Sequence, residues 1–296
     1  MILEEVRKNK ISSFFIVSIF IIVIMIGIYA ICMYFDLGAF SIVLALTFSI
    51  IPAIISYYTC DKMVLALNGA RPATHEQDAL VDNILEGLCL AAGLPKPKLY
   101  IIQDSAPNAF ATGRNPENAV ICLTTGIIEK LDKYELEGVI AHELSHIKNY
   151  DILLSTVVSV FVGLVVILSD FFSRWIFRSS RSKDDNNKSN AIFALIAIVF
   201  LILSPIFATL MQLLISRKRE YLADASAIEL TRNPDGLIDA LIKISNDTEP
   251  IETANKSTAH LYIVNPFKEK RTKAKDNLMS THPSLENRIN ALRNIK

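Results

Sequence analysis

The sequence lacks several features that point to common classes of protein. Its four cysteines are scattered and form no C-x-x-C pair, so a disulfide framework is not expected. Its formal net charge is zero and no basic stretch is interleaved with aromatic residues, so nothing indicates binding to nucleic acid. We expect the four thiols to be reduced and structural. A catalytic cysteine is the alternative.

Hydrophobic residues are abundant instead. They make up 51% of the 296 residues, and only 10 glycines and 11 prolines interrupt them, which is typical of a membrane protein. Four apolar segments stand out, at residues 13–35, 38–60, 152–172 and 191–215. The first two are uncharged and longer than the roughly 20 residues needed to span a bilayer, and they follow each other closely. They predict a helical hairpin.

Each pair of apolar segments has an alternative interpretation. The first segment could be a cleaved signal peptide, but it exceeds the usual apolar length of about 7–15 residues and lacks a clear cleavage site. A second span also follows it directly. The third and fourth segments could form a buried hairpin of the protein core instead of contacting a membrane. Pro205 predicts a kink in the fourth segment.

Basic residues beside the apolar segments predict the orientation in a membrane. Arg7, Lys8 and Lys10 precede the first segment, so the amino-terminal tail and, after two crossings, residues 61–151 are expected in the cytoplasm. The loop between the third and fourth segments is also basic, which conflicts with a full crossing by both. Either they break the positive-inside tendency or they dip into the membrane and return. Both alternatives leave residues 151 and 216 on the same side.

The rest of the chain predicts a mainly helical α+β fold with a small β-sheet. A helix at 74–92 is expected to bury one face, formed by Leu80, Ile84, Leu88 and Ala91. The stretch PKLYIIQDSAPNAFATG predicts short strands, and the turn RNPEN predicts a hairpin between NAFATG and AVICLTTG.

Three further helices are expected in the polar regions. The first covers 132–149 and starts with a capping pattern, Asp132 followed by Glu135. The other two are SRKREYLADASAIELT and SLENRINALRNI, whereas residues 247–277 are expected to be a mobile loop. The predicted organisation is a transmembrane hairpin (1–60), a first catalytic half (61–151), a second apolar hairpin (152–215) and a second catalytic half (216–296).

The stretch GVIAHELSHIKNYD carries the chemistry. His142 and His146 are four residues apart, so on a helix they stack on one face, where both imidazoles reach one Zn²⁺. Glu143 projects about 100° around the helix from His142, where it can act on a water without binding the metal. The pattern H-E-x-x-H also arises by chance, and the alternative is a surface helix with two incidental histidines. Two features of this helix argue against that alternative. One is the predicted cap, and the other is an apolar face that can pack against a core, formed by Leu136, Val139, Ile140 and Ile147.

Two histidines leave a catalytic zinc site one protein ligand short. His75, His260, His282 or an acid could supply it, and the best candidate is Glu220 in SRKREYLADASA. Asp224 follows four residues later on the same predicted helix face, where it could accept the spare N–H of a metal-binding histidine. The alternative is that Glu220 is one more charge in a basic cluster beside the membrane.

Four motifs in order resemble one family. HELSHIKNYD, SRKREYLADASA, NAFATG with TTG, and STHPSLENRINAL together are similar to the HtpX-type membrane metalloproteases, which belong to the same broad group as the CAAX prenyl endopeptidases. The resemblance covers essentially the whole chain. It implies one Zn²⁺ per chain, held by His142, His146 and Glu220, with Glu143 as the catalytic glutamate.

The resemblance also implies roles for residues around the metal. Asp224 would orient a metal ligand, and His282 and Arg288 would stabilise the transition state. A substrate backbone would pair with one strand by strand addition. The residues of that strand are Asn108, Ala109, Phe110, Ala111 and Thr112.

The function implied is a zinc endopeptidase in the cell (inner) membrane, with its active site in the cytoplasm. Glu143 would act as general base on substrates that are misfolded or damaged membrane proteins, in stress response and quality control. One alternative is an intramembrane-cleaving metalloprotease, although the motif here precedes the apolar run. Another is a non-catalytic chaperone or scaffold that uses the metal structurally. The sequence indicates no oligomeric state.

Overall fold

A computed structural model describes residues 2–34, 36–74, 78–159, 217–255, 257–267 and 283–294. The third and fourth apolar segments lie almost entirely outside the described residues, as do His75 and His282. Whether those segments cross a membrane therefore stays a prediction, and so does the division into a membrane hairpin and two catalytic halves.

The amino-terminal hairpin is confirmed as two long helices, α1 (Ile2–Tyr34) and α2 (Phe40–Leu67). Within them, Val6–Tyr29 and Phe40–Leu67 are long and apolar enough to cross a membrane, judged by length and composition. The face that α2 buries carries small residues one helical turn apart, which let the two helices approach closely. These residues are Ser41, Ala45, Ser49, Ala53 and Ser56.

A four-stranded mixed sheet follows, with β1 (Arg71–Pro72), β2 (Lys98–Ile102), β3 (Ala109–Gly113) and β4 (Ala119–Thr124). The strand order is β1-β2-β4-β3, with β2 parallel to β4 and the other neighbours antiparallel. The predicted hairpin is β3–β4, and a short 3₁₀ turn, Pro116–Asn118, lies within its connection. The strand β3 is therefore at one edge of the sheet.

The turn of this hairpin requires glycine at position 113. Gly113 has a φ of 139°, which L-residues rarely adopt. A Cβ atom there would also lie only 2.4 Å from the main-chain oxygen of Asn118.

Alternation along the strands divides the core between the two faces of the sheet. Ala111 and Ile121 belong to the main core, which includes the helices described below. Phe110 and Cys122 point to the other face, where they pack with the end of α2 and with Tyr262. All four cysteines are buried thiols.

The helix predicted at 74–92 forms α3, but it begins later, at Ala79. Its predicted buried face was half wrong, since Leu80 is 50% exposed and Ala91 is exposed, whereas Ile84 and Leu88 are buried. The buried stripe is instead Val81, Ile84, Leu85, Leu88 and Cys89. The buried face of α3 is thus rotated slightly about the helix axis from the predicted one. The reason is that the larger side chains of Val81 and Leu85 fill the core better than Ala91 does.

The helix of the H-E-x-x-H motif is α5 (Lys133–Lys148), which follows a short α4 (Thr125–Lys130). The capping box is confirmed, because Asp132 accepts from the backbone N–H of Glu135 and the Glu135 side chain accepts from that of Asp132. The predicted packing face, exemplified by Leu136 and Ile147, is fully buried. A further helix, α6, begins at Asp151 and is described as far as Ser159.

The carboxyl-terminal part contributes α7 (Arg217–Thr231), α8 (Pro234–Asn246) and α9 (Leu285–Arg293). Both α7 and α8 pack on α5, which is thereby enclosed on several sides. The helices α7 and α9 are confirmed predictions, whereas α8 was not predicted. Its signals were present in the sequence, since Asn233 caps the helix and Pro234 stands at its first position.

Of the loop expected at 247–277, residues 247–255 and 257–267 are described, and they are irregular apart from one 3₁₀ turn. Residues 257–267, which we call the covering segment, contain a 3₁₀ turn, Ala259–Leu261, and buried Tyr262 and Ile263. The Tyr262 ring packs edge-on against Phe110, with 5.0 Å between ring centres. A few large side chains thus pack this otherwise polar loop against the sheet, which its composition did not indicate.

Candidate active site

The three predicted metal ligands converge. His142 Nε2 and His146 Nε2 are 3.2 Å apart, and the Glu220 carboxylate on α7 lies 3.8 Å from the first and 3.7 Å from the second. Two nitrogens that each lie about 2.0–2.1 Å from a tetrahedral zinc are roughly 3.3 Å apart, so the histidine pair fits such an ion. The donor set of two imidazoles and one carboxylate also suits a catalytic zinc centre.

Each histidine has a carboxylate next to its Nδ1 atom, on the side of the ring away from the other ligands. Asp224 Oδ1 lies 2.9 Å from His142 Nδ1, and Asp151 Oδ2 lies 3.0 Å from His146 Nδ1. Because the carboxylates contact the two Nδ1 atoms, both Nε2 atoms face the space between the rings and Glu220, where a metal ion would bind. The sequence predicted Asp224 in this position and missed Asp151.

A sharp bend after α5 brings Asp151 back to His146. The helix ends at Lys148, and Tyr150 has a φ of 59°, which reverses the chain before α6 starts. Left-handed backbone at a non-glycine residue is uncommon, and here it occurs beside a functional site. The sequence signal was only an acid five residues after the second histidine, which spacing arguments on one helix do not register.

The ionisation of the histidines reflects these neighbours. Burial lowers the pKa of His142, and the same effect on His146 is outweighed by the carboxylates of Asp151, Glu220 and Glu143, which raise its pKa to about 9. The surroundings of His146 therefore favour positive charge, which a bound cation would supply.

Glu143 is buried beside the three ligands. Burial raises its pKa, and the nearby Glu220 raises it further, whereas His146, Arg288 and a backbone hydrogen bond from Ala111 lower it. The result is a pKa of about 7, compared with an ordinary value of 4.5. A cation bound between the three predicted ligands would lower this pKa and so favour the ionised form, which can accept a proton.

Arg288, predicted to stabilise the transition state, is buried against Asp224. Its Nε and Nη2 donate to the two carboxylate oxygens over 2.9 and 2.6 Å. Burial alone would raise the pKa of Asp224, but the guanidinium outweighs it and holds that pKa below its usual range. Arg288 Nη1 also lies 3.7 Å from Glu220 Oε2, so one cation serves two carboxylates of the site.

The residues predicted to bind substrate, Asn108–Thr112, are all buried. The outer edge of β3 is engaged by the protein itself, since Ala109 O accepts from the N–H of Ile263 over 3.0 Å. The Asn108 amide donates to Val264 O over 2.8 Å. In this structure, the covering segment thus occupies part of the predicted substrate strand.

A small cavity of about 50 Å³ opens on the metal ligands. The covering segment closes one side of it with residues 260–263, and the beginning of α6 forms another side. The space is sufficient for an ion with a few water molecules. His260, one of the alternative third ligands, reaches this cavity but bonds to α6 through Ser159 and Ser155.

Comparison with known proteins decides the family. The model of peptidase family M48 matches residues 75–296, which include every residue of the site. The chain belongs to peptidase family M48.

Relatives of this M48 peptidase are similar along its whole length. A protease HtpX homolog from Dictyoglomus thermophilum is 45% identical over 290 residues, covering 98% of this chain and 93% of that protein. Another, from Listeria monocytogenes, is 42% identical over 306 residues, covering both chains completely. A crystal structure of S. mikatae Ste24p aligns with a TM-score of 0.49 and 21% identity, over 90% of this chain and 62% of that one.

Family membership confirms the predicted class of enzyme. The M48 peptidase is a membrane-associated metalloendopeptidase, and the cluster of His142, His146 and Glu220 is compatible with its metal site. The non-catalytic scaffold, considered as an alternative from the sequence, is therefore not the function of this chain.

Proposed function

We propose that this M48 peptidase is a zinc endopeptidase that cleaves misfolded or damaged membrane proteins at the cytoplasmic face of the cell membrane. The observation that carries the proposal is the convergence of His142, His146 and Glu220, with the proton-accepting Glu143 beside them.

His142, His146 and Glu220 would hold one Zn²⁺ per chain. The 3.2 Å separation of the two Nε2 atoms and the carboxylates behind both rings support this assignment. When bound, Zn²⁺ lowers the pKa of a water molecule and polarises the scissile carbonyl.

Glu143 acts as the general base. Its carboxylate accepts a proton from the attacking water and later delivers it to the leaving nitrogen. Burial raises the pKa of Glu143 to about 7, and a Zn²⁺ ion beside it would lower that pKa and so favour the carboxylate, the form that accepts the proton.

The substrate backbone pairs with β3, residues Asn108–Thr112, by replacing the covering segment. The main chain of Ile263 has the bonds that a substrate would make there. Its N–H donates to Ala109 O over 3.0 Å, and its carbonyl oxygen accepts from Arg288 Nη1 over 3.4 Å. Strand addition reads backbone rather than side chains, as a protease with varied substrates requires.

Arg288 acts mainly by fixing Asp224, and so His142, as its two hydrogen bonds to that carboxylate indicate. Its Nη1 would reach a substrate carbonyl once Ile263 has left. His282 is retained as the proposed donor for the transition state, on the sequence motif alone.

The location is inferred from the amino-terminal hairpin. Two candidate spans and the basic residues before the first support a cytoplasmic position for the catalytic part that follows. An active site held against a membrane helix suits substrates that are themselves membrane proteins.

The test compares three variants of the full-length protein purified in detergent. Glu143→Gln should retain zinc and lose casein cleavage by at least about a thousandfold, because the base is gone. Glu220→Ala should lose bound zinc, and Glu137→Gln, on the same helix, should leave metal content and activity unchanged. Cleavage at the wild-type rate by Glu143→Gln would refute the mechanism, and unchanged zinc in Glu220→Ala would exclude Glu220 as a ligand.

A second assay addresses the substrate class. A membrane protein in detergent should be cut faster after partial unfolding than in its folded state. Equal rates would refute the preference for misfolded substrates while leaving the zinc chemistry intact.

A further inference from the structure

Asn9 is a buried polar residue on α1, near the amino-terminal end of the first candidate span. Its side chain is only 4% exposed. The amide nitrogen donates to Asn149 O over 3.0 Å and to Asp151 Oδ1 over 2.7 Å. Both bonds connect the membrane hairpin to the bend that follows the H-E-x-x-H helix.

Asp151 links this amide to the metal ligand His146. The carboxylate uses different oxygens for the two contacts, Oδ1 for Asn9 and Oδ2 for His146 Nδ1. Arg219 also faces Oδ1, but at 3.8 Å its Nη1 is beyond hydrogen-bond distance. Within the part of the chain that the structure describes, Asn9 therefore supplies the hydrogen bond that fixes the rotation of the Asp151 carboxylate, and with it the orientation of the His146 ring.

The second bond of Asn9 supports the same geometry. Asn149 ends α5, and the chain then reverses at Tyr150, whose φ is 59°. By bonding on both sides of this strained residue, Asn9 holds the bend that presents Asp151 to the histidine.

We propose that Asn9 is a positioning residue for the metal ligand His146, acting through Asp151. The first membrane helix thus contributes to the metal centre in addition to attaching the enzyme to the membrane. This inference rests on the proposed ligation of Zn²⁺ by His146.

The test measures zinc binding rather than activity alone, on full-length protein in detergent. Asn9→Leu keeps the approximate size of the side chain and removes the donor. Zinc affinity, measured by competition with a chelator, should fall about tenfold, as is typical when a group behind a ligand is lost. The visible spectrum of the Co²⁺-loaded variant should also shift, because one ligand changes its orientation.

Ser13→Ala is the matched control. Ser13 is buried one turn further along α1, and its hydroxyl donates to the main-chain oxygen of Asn9 over 2.8 Å, so its loss leaves the Asn9 side-chain amide in place. This variant should keep the wild-type zinc affinity and Co²⁺ spectrum.

A double-mutant cycle separates positioning from general structural support. If Asn9 acts through Asp151, then Asn9→Leu should weaken zinc binding little further in an Asp151→Ala background. Additive losses would overturn the proposal, as would wild-type affinity and spectrum in Asn9→Leu. If Asn9→Leu does not accumulate, the same zinc affinity and Co²⁺ spectrum are measured on Asn9→Ala, with the same expected results. Absence of zinc binding by the wild type would instead refute the proposed function.

Discussion

Arg288 and Asp224 form a buried ion pair with two parallel hydrogen bonds, and Asp224 in turn faces His142. A buried carboxylate of this kind is stable only while its cation is present, because desolvation otherwise disfavours its charge. At the scale of single residues, we therefore expect metal binding to depend on side chains that do not touch the metal.

Replacing Arg288 by lysine tests this dependence. A lysine retains the charge but cannot reproduce the two-pronged contact, so Asp224 loses one of its bonds. Arg288→Lys should lower zinc affinity about tenfold and the unfolding free energy by roughly 2 kcal/mol. Chelator competition and thermal unfolding measure the two effects. Arg293→Lys, exposed on the same helix, should change neither, and equal behaviour of the two variants would contradict the prediction.

The raised pKa of Glu143 predicts a pH-dependent stability of the metal-free protein. Because the folded pKa of about 7 exceeds the ordinary 4.5, folding favours the protonated form. The stability associated with protonation is fully present below about pH 4.5 and is lost as the pH rises through 7. At pH 8, Glu143→Gln should thus be more stable than the wild type, by on the order of 2 kcal/mol.

Thermal unfolding of both metal-free proteins between pH 5 and 8 measures this difference. The gap should shrink towards pH 5, where the wild-type carboxyl group is mostly protonated in the folded state. A gap that stays constant over this range would show that ionisation of Glu143 is not its cause.

At the scale of elements, α5 is placed by close contact with its neighbours. Gly138 faces the start of α8, where an added Cβ would lie 2.8 Å from the nitrogen of Leu237 and 2.9 Å from its Cα. From the other side, a Cβ on Gly236 would lie 2.6 Å from Tyr134 O. The two glycines let the helix of the metal ligands and α8 approach within backbone contact.

Gly138→Ala should therefore separate α5 from α8. Overpacking of this kind typically costs about 1–3 kcal/mol, which exceeds the gain in helix propensity from alanine. The matched control is Gly87→Ala on α3, where a Cβ would meet nothing within 4 Å, and we expect it to be slightly stabilising. Thermal unfolding of both variants checks the opposite signs, and a neutral Gly138→Ala would refute the close approach.

At the scale of the whole molecule, the membrane hairpin contacts the covering segment through Asn68, just after α2. Its Oδ1 accepts from the hydroxyls of Thr258 and Tyr262 over 3.0 and 3.1 Å. These contacts anchor the covering segment. The next residue of that segment, Ile263, donates its N–H to Ala109 O on β3. If substrate has to replace Ile263, loosening this anchor should help substrates to enter.

Tyr262→Phe should accordingly change stability and activity in opposite directions. Loss of the hydroxyl bond should lower the unfolding free energy by about 1 kcal/mol. If that energy opposes opening, kcat/KM for polypeptides should rise up to about fivefold. Tyr134→Phe, at an exposed site, is the control for both measurements. A fall in kcat/KM would indicate that the segment helps to bind substrate rather than blocking it.

The elements could be predicted from sequence largely because their signals are local. The capping box of α5, the two uncharged spans and the β3–β4 turn each involve residues within a few positions of one another. Features that depend on residues far apart in sequence were not predicted. The packing of the covering segment is one, because Phe110 on a distant strand supplies the partner for Tyr262.

The candidate site divides in a similar way. His142, Glu143 and His146 follow from helical spacing. Glu220 and Asp224 were candidates from their own four-residue spacing, and the family motifs then favoured them over the alternatives. The contacts of Asp151 with His146 and of Asn9 with Asp151 could not be predicted, because a contact that depends on the tertiary fold has no periodic signal in the sequence.

The sequence by itself determined the type of enzyme, its membrane hairpin and the identity of the proposed metal ligands, since these depend on residue types, on helical spacing and on runs of apolar residues. Only the tertiary structure decided that Asp151 stands behind His146, that Asn9 reaches it from the first membrane helix, and that Ile263 occupies the edge of β3. The physical reason is that each of these contacts satisfies a polar group buried by folding. The partner is chosen by where the packed helices and the sheet bring the chain together, and not by its neighbours in sequence.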